Sequence, residues 1–206
     1  MCMSIKSIVF DVGKVLFDYY PDKIVNAILP GNPLNPLYID HLFLAQAWQD
    51  LDRGDITEDE AVEALLDIFP KKSHVKDDLY RLIQEFALHL DPMEDSIAMF
   101  NQLYGKYPLY ILSNFQADPF DLLALQYPFL EKAKGQVVSA KVNMMKPEPE
   151  IYDYLLNTYS LTASETVFID DRPENISSCD KKGIHGILYT SFQDVKTRLI
   201  ELGVSV

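Results

Sequence analysis

The chain has 206 residues, 48% hydrophobic and 24% charged, a soluble globular balance with length for one core and a small inserted domain. Its formal net charge of −13 argues against broad binding to nucleic acid or anionic membranes, since both need basic patches. An anionic substrate would then need a metal or local cations to make its site positive.

In chain order, residues 7–10 form a short apolar run that ends at Asp11 and reads as a buried strand. Residues 19–91 show helical periodicity and no convincing strand. Within them, residues 37–51, 57–69 and 74–90 are expected as helices, the second with Thr57 as N-cap and Glu60 completing a capping box. A helix at 95–104 leads to a strand at 109–112 that ends at Ser113-Asn114. After a helix at 119–126, a strand at 136–138 ends at Ser139. Lys146-Pro147 precedes a helix at 148–159, proline being tolerated near a helix start. A strand at 167–169 ends at Asp170-Asp171, a helix follows at 174–182, and a strand at 186–189 and a helix at 192–202 close the chain. Short unalternating apolar runs suit strands buried on both faces, and their alternation with helices implies a parallel sheet covered on both sides. The expected fold is α/β: a Rossmann-like three-layer core from residues 1–18 and 92–206, with residues 19–91 inserted as an α-helical cap.

Ligands of an open parallel sheet bind beyond the carboxyl ends of its strands. Asp11, Ser113-Asn114 and Asp170-Asp171 all fall there, and Lys146 precedes a helix beside them. Each alone has an ordinary explanation as a turn, a cap or a solvated charge. Together they are chemically coherent. A carboxylate such as Asp11 can be a covalent nucleophile. Three acids at one edge call for a hard cation, and Mg²⁺ takes oxygen ligands. Ser113 and Asn114 can donate to phosphoryl oxygens, and Lys146 can neutralise charge.

The stretches FDVGKVLFD, LSN, KPEPEIY and FIDDRPENI resemble the four signature motifs of the haloacid dehalogenase superfamily, and the helical insert resembles its cap. The resemblance covers nearly the whole chain. It implies Asp11 as nucleophile, Ser113 and Asn114 as phosphate binders and Lys146 as organiser of the nucleophile. Mg²⁺ would be held by Asp11, the Gly13 carbonyl, and Asp170 with Asp171. The first motif and the cap phrase from Trp48 to Thr57 most resemble a bacterial α-D-glucose-1-phosphate phosphatase branch.

Two positions depart from the pattern. Gly13 stands where the family usually carries an acid/base Asp, which threatens proton transfer more than metal binding. Asn143 stands where many relatives carry Gly, and asparagine tolerates a left-handed backbone. Without its usual acid the protein is expected to favour good leaving groups such as sugar 1-phosphates and aryl phosphates, unless a cap acid, Asp52 or Asp55, supplies the proton. Arg53 is a candidate substrate contact from the cap, with a surface Arg as the plain alternative. Asn175 could orient a metal ligand, and Trp48 reads as cap core. The four histidines show no metal spacing.

The expected function is Mg²⁺-dependent hydrolysis of a small phosphorylated metabolite, a sugar phosphate among the candidates, with a closing cap that excludes large substrates. The partner expected is that metabolite, with neither nucleic acid nor membrane, on a monomer or homodimer. A metal-independent dehalogenase and a non-catalytic phosphometabolite binder are the competing readings. Two cysteines, Cys2 and Cys179, make no disulfide framework. The first ten residues are too short for a signal sequence, and no run reaches transmembrane length. A cytoplasmic protein is therefore expected.

Overall fold

The computed structural model describes residues 4–69 and 74–206; Cys2 lies outside them. Strand β1 (Ser7–Phe10) leads past Asp11 into the two-residue strand β2 (Phe17–Asp18). A helical insert follows, with α1 (Pro21–Ile28), α2 (Asn35–His41), α3 (Gln46–Arg53), α4 (Glu58–Leu65) and α5 (Val75–Glu85). The chain returns through β3 (Asp91–Pro92) and α6 (Glu94–Leu103). The remainder alternates: β4 (Leu109–Ser113), α7 (Ala117–Gln126), β5 (Gly135–Val138), the single turn α8 (Ser139–Val142) and α9 (Pro149–Thr158). It ends with β6 (Thr166–Asp170), α10 (Pro173–Lys181), β7 (His185–Leu188) and α11 (Phe192–Glu201).

Five strands pair in parallel in the order β5-β4-β1-β6-β7. The central strand shows why its sequence is apolar without alternation. Ile8 and Phe10 enter one hydrophobic cluster with residues of α6, α7 and α11, while Val9 enters another with residues of α9 and α10. A strand covered on both faces has no polar side to present. The result is a three-layer α/β core, as expected from the sequence. The larger cluster continues through Val12 and Phe115 into the insert, so insert and sheet share apolar packing. Among the described residues, no helix is long and apolar enough to cross a membrane.

The two chain crossings into the insert are zipped together. β2 pairs antiparallel with β3, Phe17 opposite Pro92 and Asp18 opposite Asp91, and Met93 N donates to Leu16 O at 2.9 Å. Pairs of two residues carry no periodic signal, and both strands were unforeseen. So was α1. The helix expected at 37–51 is in fact two helices, because a 3₁₀ turn at Leu42–Leu44 and an extended Ala45 (φ −65°, ψ 145°) divide α2 from α3. That break takes Phe43 and Leu44 out of the helical stripe. The capping box on α4 forms as expected, with Glu60 N donating to Thr57 Oγ1 and Thr57 N to Glu60 Oε2. Asn143 adopts the left-handed conformation expected of it (φ 52°).

Candidate active site

Because β1, β4 and β6 run in register, their carboxyl ends bring Asp11, Ser113 and Asp170 to one edge. Asp11 continues the ladder by one bond, its N–H donating to Ile169 O at 2.9 Å. Lys146 arrives from the loop before α9 and is 3% exposed. Its ammonium group has three acceptors: Asp11 Oδ1 at 2.8 Å, Asp170 Oδ2 at 2.7 Å and Leu112 O at 3.0 Å. Three protons meet three oxygens, which is what a buried ammonium requires. Asn114 fixes the Lys146 backbone from both sides. Its Nδ2 donates to Lys146 O, and Lys146 N donates to its Oδ1, each at 2.8 Å. Asn114 thus positions the lysine as well as lining the site.

The two acids of the Asp170-Asp171 pair differ. Asp170 is fully buried and surrounded by donors: Lys146, the Arg172 N–H at 2.8 Å, and Asn175 Nδ2 at 2.9 Å from each oxygen. Asn175 therefore orients a site carboxylate. Asp171 is half-buried and faces the cavity. Asp11, Asp170 and Asp171 each offer an oxygen, and these lie within 4.8 Å of one another. Such a set of hard donors could hold a divalent cation.

Charge is strained at this edge. Burial pushes the Asp11 carboxyl up to about 7; Lys146 opposes this and the neighbouring Asp170 adds to it. Burial alone would pull Lys146 down, but Asp11 and Asp170 more than offset it and hold it charged. Asp171 is raised by burial and then by Asp170. A bound cation would relieve all three acids at once.

Over this edge lies a cavity of about 520 Å³. Its floor is Asp11, Gly13, Ser113, Lys146 and Asp171. Its roof comes from the insert: Phe43, Leu44, Trp48, Asp52 and Phe86. The roof is an aromatic chain in which Tyr19 meets Phe43, Phe43 meets Trp48, Trp48 meets Phe86 and Phe86 meets Phe115, with centroids 4.7 to 5.5 Å apart. Such pairs add to the area they bury. Trp48 is 4% exposed and serves as both insert core and cavity wall.

Arg53 does not join the cavity wall. Its guanidinium forks onto Glu148, with Nη1 2.8 Å from Oε2 and Nη2 on Oε1, and so ties the end of α3 to the start of α9. The sequence offered no sign of Glu148 as its partner, 95 positions away. Lys14, Tyr19, Phe43 and Leu44 were likewise missed. Only Lys14 carried a signal, three residues after Asp11.

Residues 5–180 match the family of haloacid dehalogenase-like hydrolases. The chain belongs to that family. It is 25% identical to the sesquiterpene phosphatase astK of Aspergillus oryzae over 92% of each chain. It is 26% identical to the D-ribitol-5-phosphate phosphatase of Bacteroides thetaiotaomicron, over 84% of this chain and 85% of that one. A haloacid dehalogenase family enzyme of Bacteroides thetaiotaomicron, solved with magnesium and inorganic phosphate, shares the fold with a TM-score of 0.68. That match is 23% identical and covers 90% of this chain and 94% of that one. This haloacid dehalogenase-like hydrolase thus carries its motif residues, Asp11, Ser113, Lys146 and the Asp170-Asp171 pair, at one sheet edge beneath a helical roof.

Proposed function

We propose that this hydrolase is a Mg²⁺-dependent phosphatase that splits a small phosphate monoester through an aspartyl-phosphate on Asp11. The observation that carries it is the buried ammonium of Lys146 held between Asp11 and Asp170, with Asp171 left open to the cavity. Asp11, Asp171 and the Gly13 carbonyl would hold the ion, while Asp170 works through Lys146 and Asn175. Bound there, Mg²⁺ would neutralise the acids and the substrate phosphate. Asp11 attacks phosphorus from below, Lys146 keeps its carboxylate aligned, and Ser113 with the Asn114 loop receives the phosphoryl oxygens. The insert acts as a cap that excludes water. The dehalogenase reading needs no metal and leaves the clustered acids without a purpose.

The leaving group occupies the roof, where a second reading of the substrate has support. The sequence pointed to good leaving groups such as sugar 1-phosphates and aryl phosphates, and the relative named for D-ribitol 5-phosphate fits a polyol. Yet the roof is chiefly aromatic and aliphatic, with Gln49, Asp52 and the Tyr19 hydroxyl as its polar groups. An apolar or aryl leaving group suits it well, and the relative named as a sesquiterpene phosphatase fits that choice. Phosphate release from hexose 1-phosphate, aryl phosphate and isoprenyl phosphate, with Mg²⁺ and with excess chelator, tests both levels. Turnover should require Mg²⁺ and fall roughly 10³-fold or more, about 4 kcal/mol of barrier, in Asp11→Asn. Full activity in chelator would contradict the metal dependence.

A further inference from the structure

We propose that Asp52 is the general acid and base of this site, acting from the roof in place of the side chain that Gly13 lacks; this rests on the phosphatase reading above. Three observations converge on it.

The floor has a gap. Gly13 lines the cavity, and a Cβ built on it would meet nothing within 4 Å. Space exists beside the nucleophile, and at position 13 itself there is no side chain to donate a proton.

The roof supplies an acid in the same cavity, and it is held in place. Asp52 is half-buried on the cavity wall. Its carbonyl accepts from the Ser139 hydroxyl on α8. The next residue, Arg53, forks onto Glu148. Asn143 Nδ2 donates to Gly54 O at 2.8 Å. Gly54 packs so closely on α8 that a Cβ there would fall 2.4 Å from the Ala140 carbonyl oxygen. Three successive residues are therefore bolted to the core, a degree of fixation that a catalytic acid needs and a solvated aspartate does not.

The other acids are spoken for. Asp55 lies at the surface with its Oδ2 3.4 Å from Arg53 Nε. Glu148 lines the cavity, but its hydrogen bonds to Arg53 hold it below the usual range. Asp171 belongs to the metal set. Around Asp52 stand the Tyr19 hydroxyl, itself held neutral by burial and by Asp52, and the Gln116 amide. Burial pushes the Asp52 carboxyl up to about 8, with the Gln116 amide opposing. It therefore carries its proton at neutral pH, which suits an acid working there.

The steps balance. Asp11 forms a bond to phosphorus as the bond from phosphorus to the ester oxygen breaks, and the Asp52 proton passes to that oxygen, releasing the alcohol. Asp52, now a carboxylate, takes a proton from the water that attacks the aspartyl-phosphate. Asp11 and inorganic phosphate separate, and Asp52 is again protonated.

The test is kcat/KM for p-nitrophenyl phosphate and for a simple alkyl phosphate, with Mg²⁺, on the native protein, Asp52→Asn and Asp52→Asn with Gly13→Asp. An acid matters most for the poor leaving group. Asp52→Asn should lower the alkyl ester by about 10²- to 10⁴-fold and the nitrophenyl ester far less, and Gly13→Asp should restore much of the difference. Equal losses on both esters, or none on either, would overturn the assignment. A series of aryl phosphates on the native protein needs no variant: rate should depend weakly on leaving-group pKa, and a steep dependence overturns the proposal. A native protein that releases phosphate from neither ester would sink the phosphatase reading and this one together.

Discussion

Lys146 shows how much of this site is decided by one side chain. A buried ammonium between two carboxylates holds Asp11 in place, and its backbone is gripped by Asn114. Asp52 is the second decisive residue, and it has a consequence for stability. Its folded carboxyl is raised from 3.8 to about 8, so between those values the native state holds a proton that the unfolded state has lost. Stability contributed by this group is full below pH 3.8 and is lost as pH rises toward 8, with a slope of at most about 1.4 kcal/mol per pH unit. Asp52→Asn has no such titration. Denaturant unfolding at pH 5 and pH 8 should therefore show the variant gaining on the native protein as pH rises. A difference between the two proteins that does not move with pH would mean that folding does not raise the Asp52 carboxyl.

At the scale of elements, the contact between α3 and α8 ties the helical insert to the core and would set the position of the proposed cap. Gly54 closes α3 in the left-handed conformation (φ 83°) and lets the two backbones touch. Gly54→Ala would combine backbone strain with a clash and should cost about 2 kcal/mol, lowering Tm by roughly 4–8 °C for a chain of this size. With the bolt loosened, the preference for a small ester over a phosphopeptide should narrow as well. An unchanged Tm and preference would show that the α3–α8 contact does not set the cap's position. The same elements show what a sequence reveals. The three inner strands β4, β1 and β6 were legible because burial on both faces makes each a bounded apolar run, and the edge strands β5 and β7 keep short apolar cores between polar bounds. The meeting of Asp11, Ser113 and Asp170 at one edge was legible because each closes such a run, while Lys146 arrives from the loop before α9. The β2–β3 pair was not, since two residues have no period and their pairing joins Phe17 to Pro92. The break at Leu42–Leu44 was hidden because apolar residues continue through it and the cavity they face is formed only by the folded chain. Arg53 and Glu148 are both ordinary surface-type residues until folding brings them together, so the sequence left Arg53 open between a substrate contact and a plain surface Arg.

For the whole molecule, the core supplies charge and the insert supplies shape. The floor gathers Asp11, Lys146 and Asp171, while the roof presents an aromatic chain and one protonated acid. Closing such a roof removes water and strengthens each charge interaction below. The net charge of −13 keeps the surface unattractive to other anions, and on the proposed function a cation with Lys146 would serve the one phosphate inside. All of this rests on Asp11 becoming phosphorylated. The most direct measurement is mass spectrometry of peptides from protein mixed with an aryl phosphate and Mg²⁺ and quenched in acid within a turnover. The account predicts a phosphoryl group on the peptide carrying Asp11, absent in Asp11→Asn and absent in excess chelator. Phosphate release with no label on Asp11, or with the label on another residue, would contradict it.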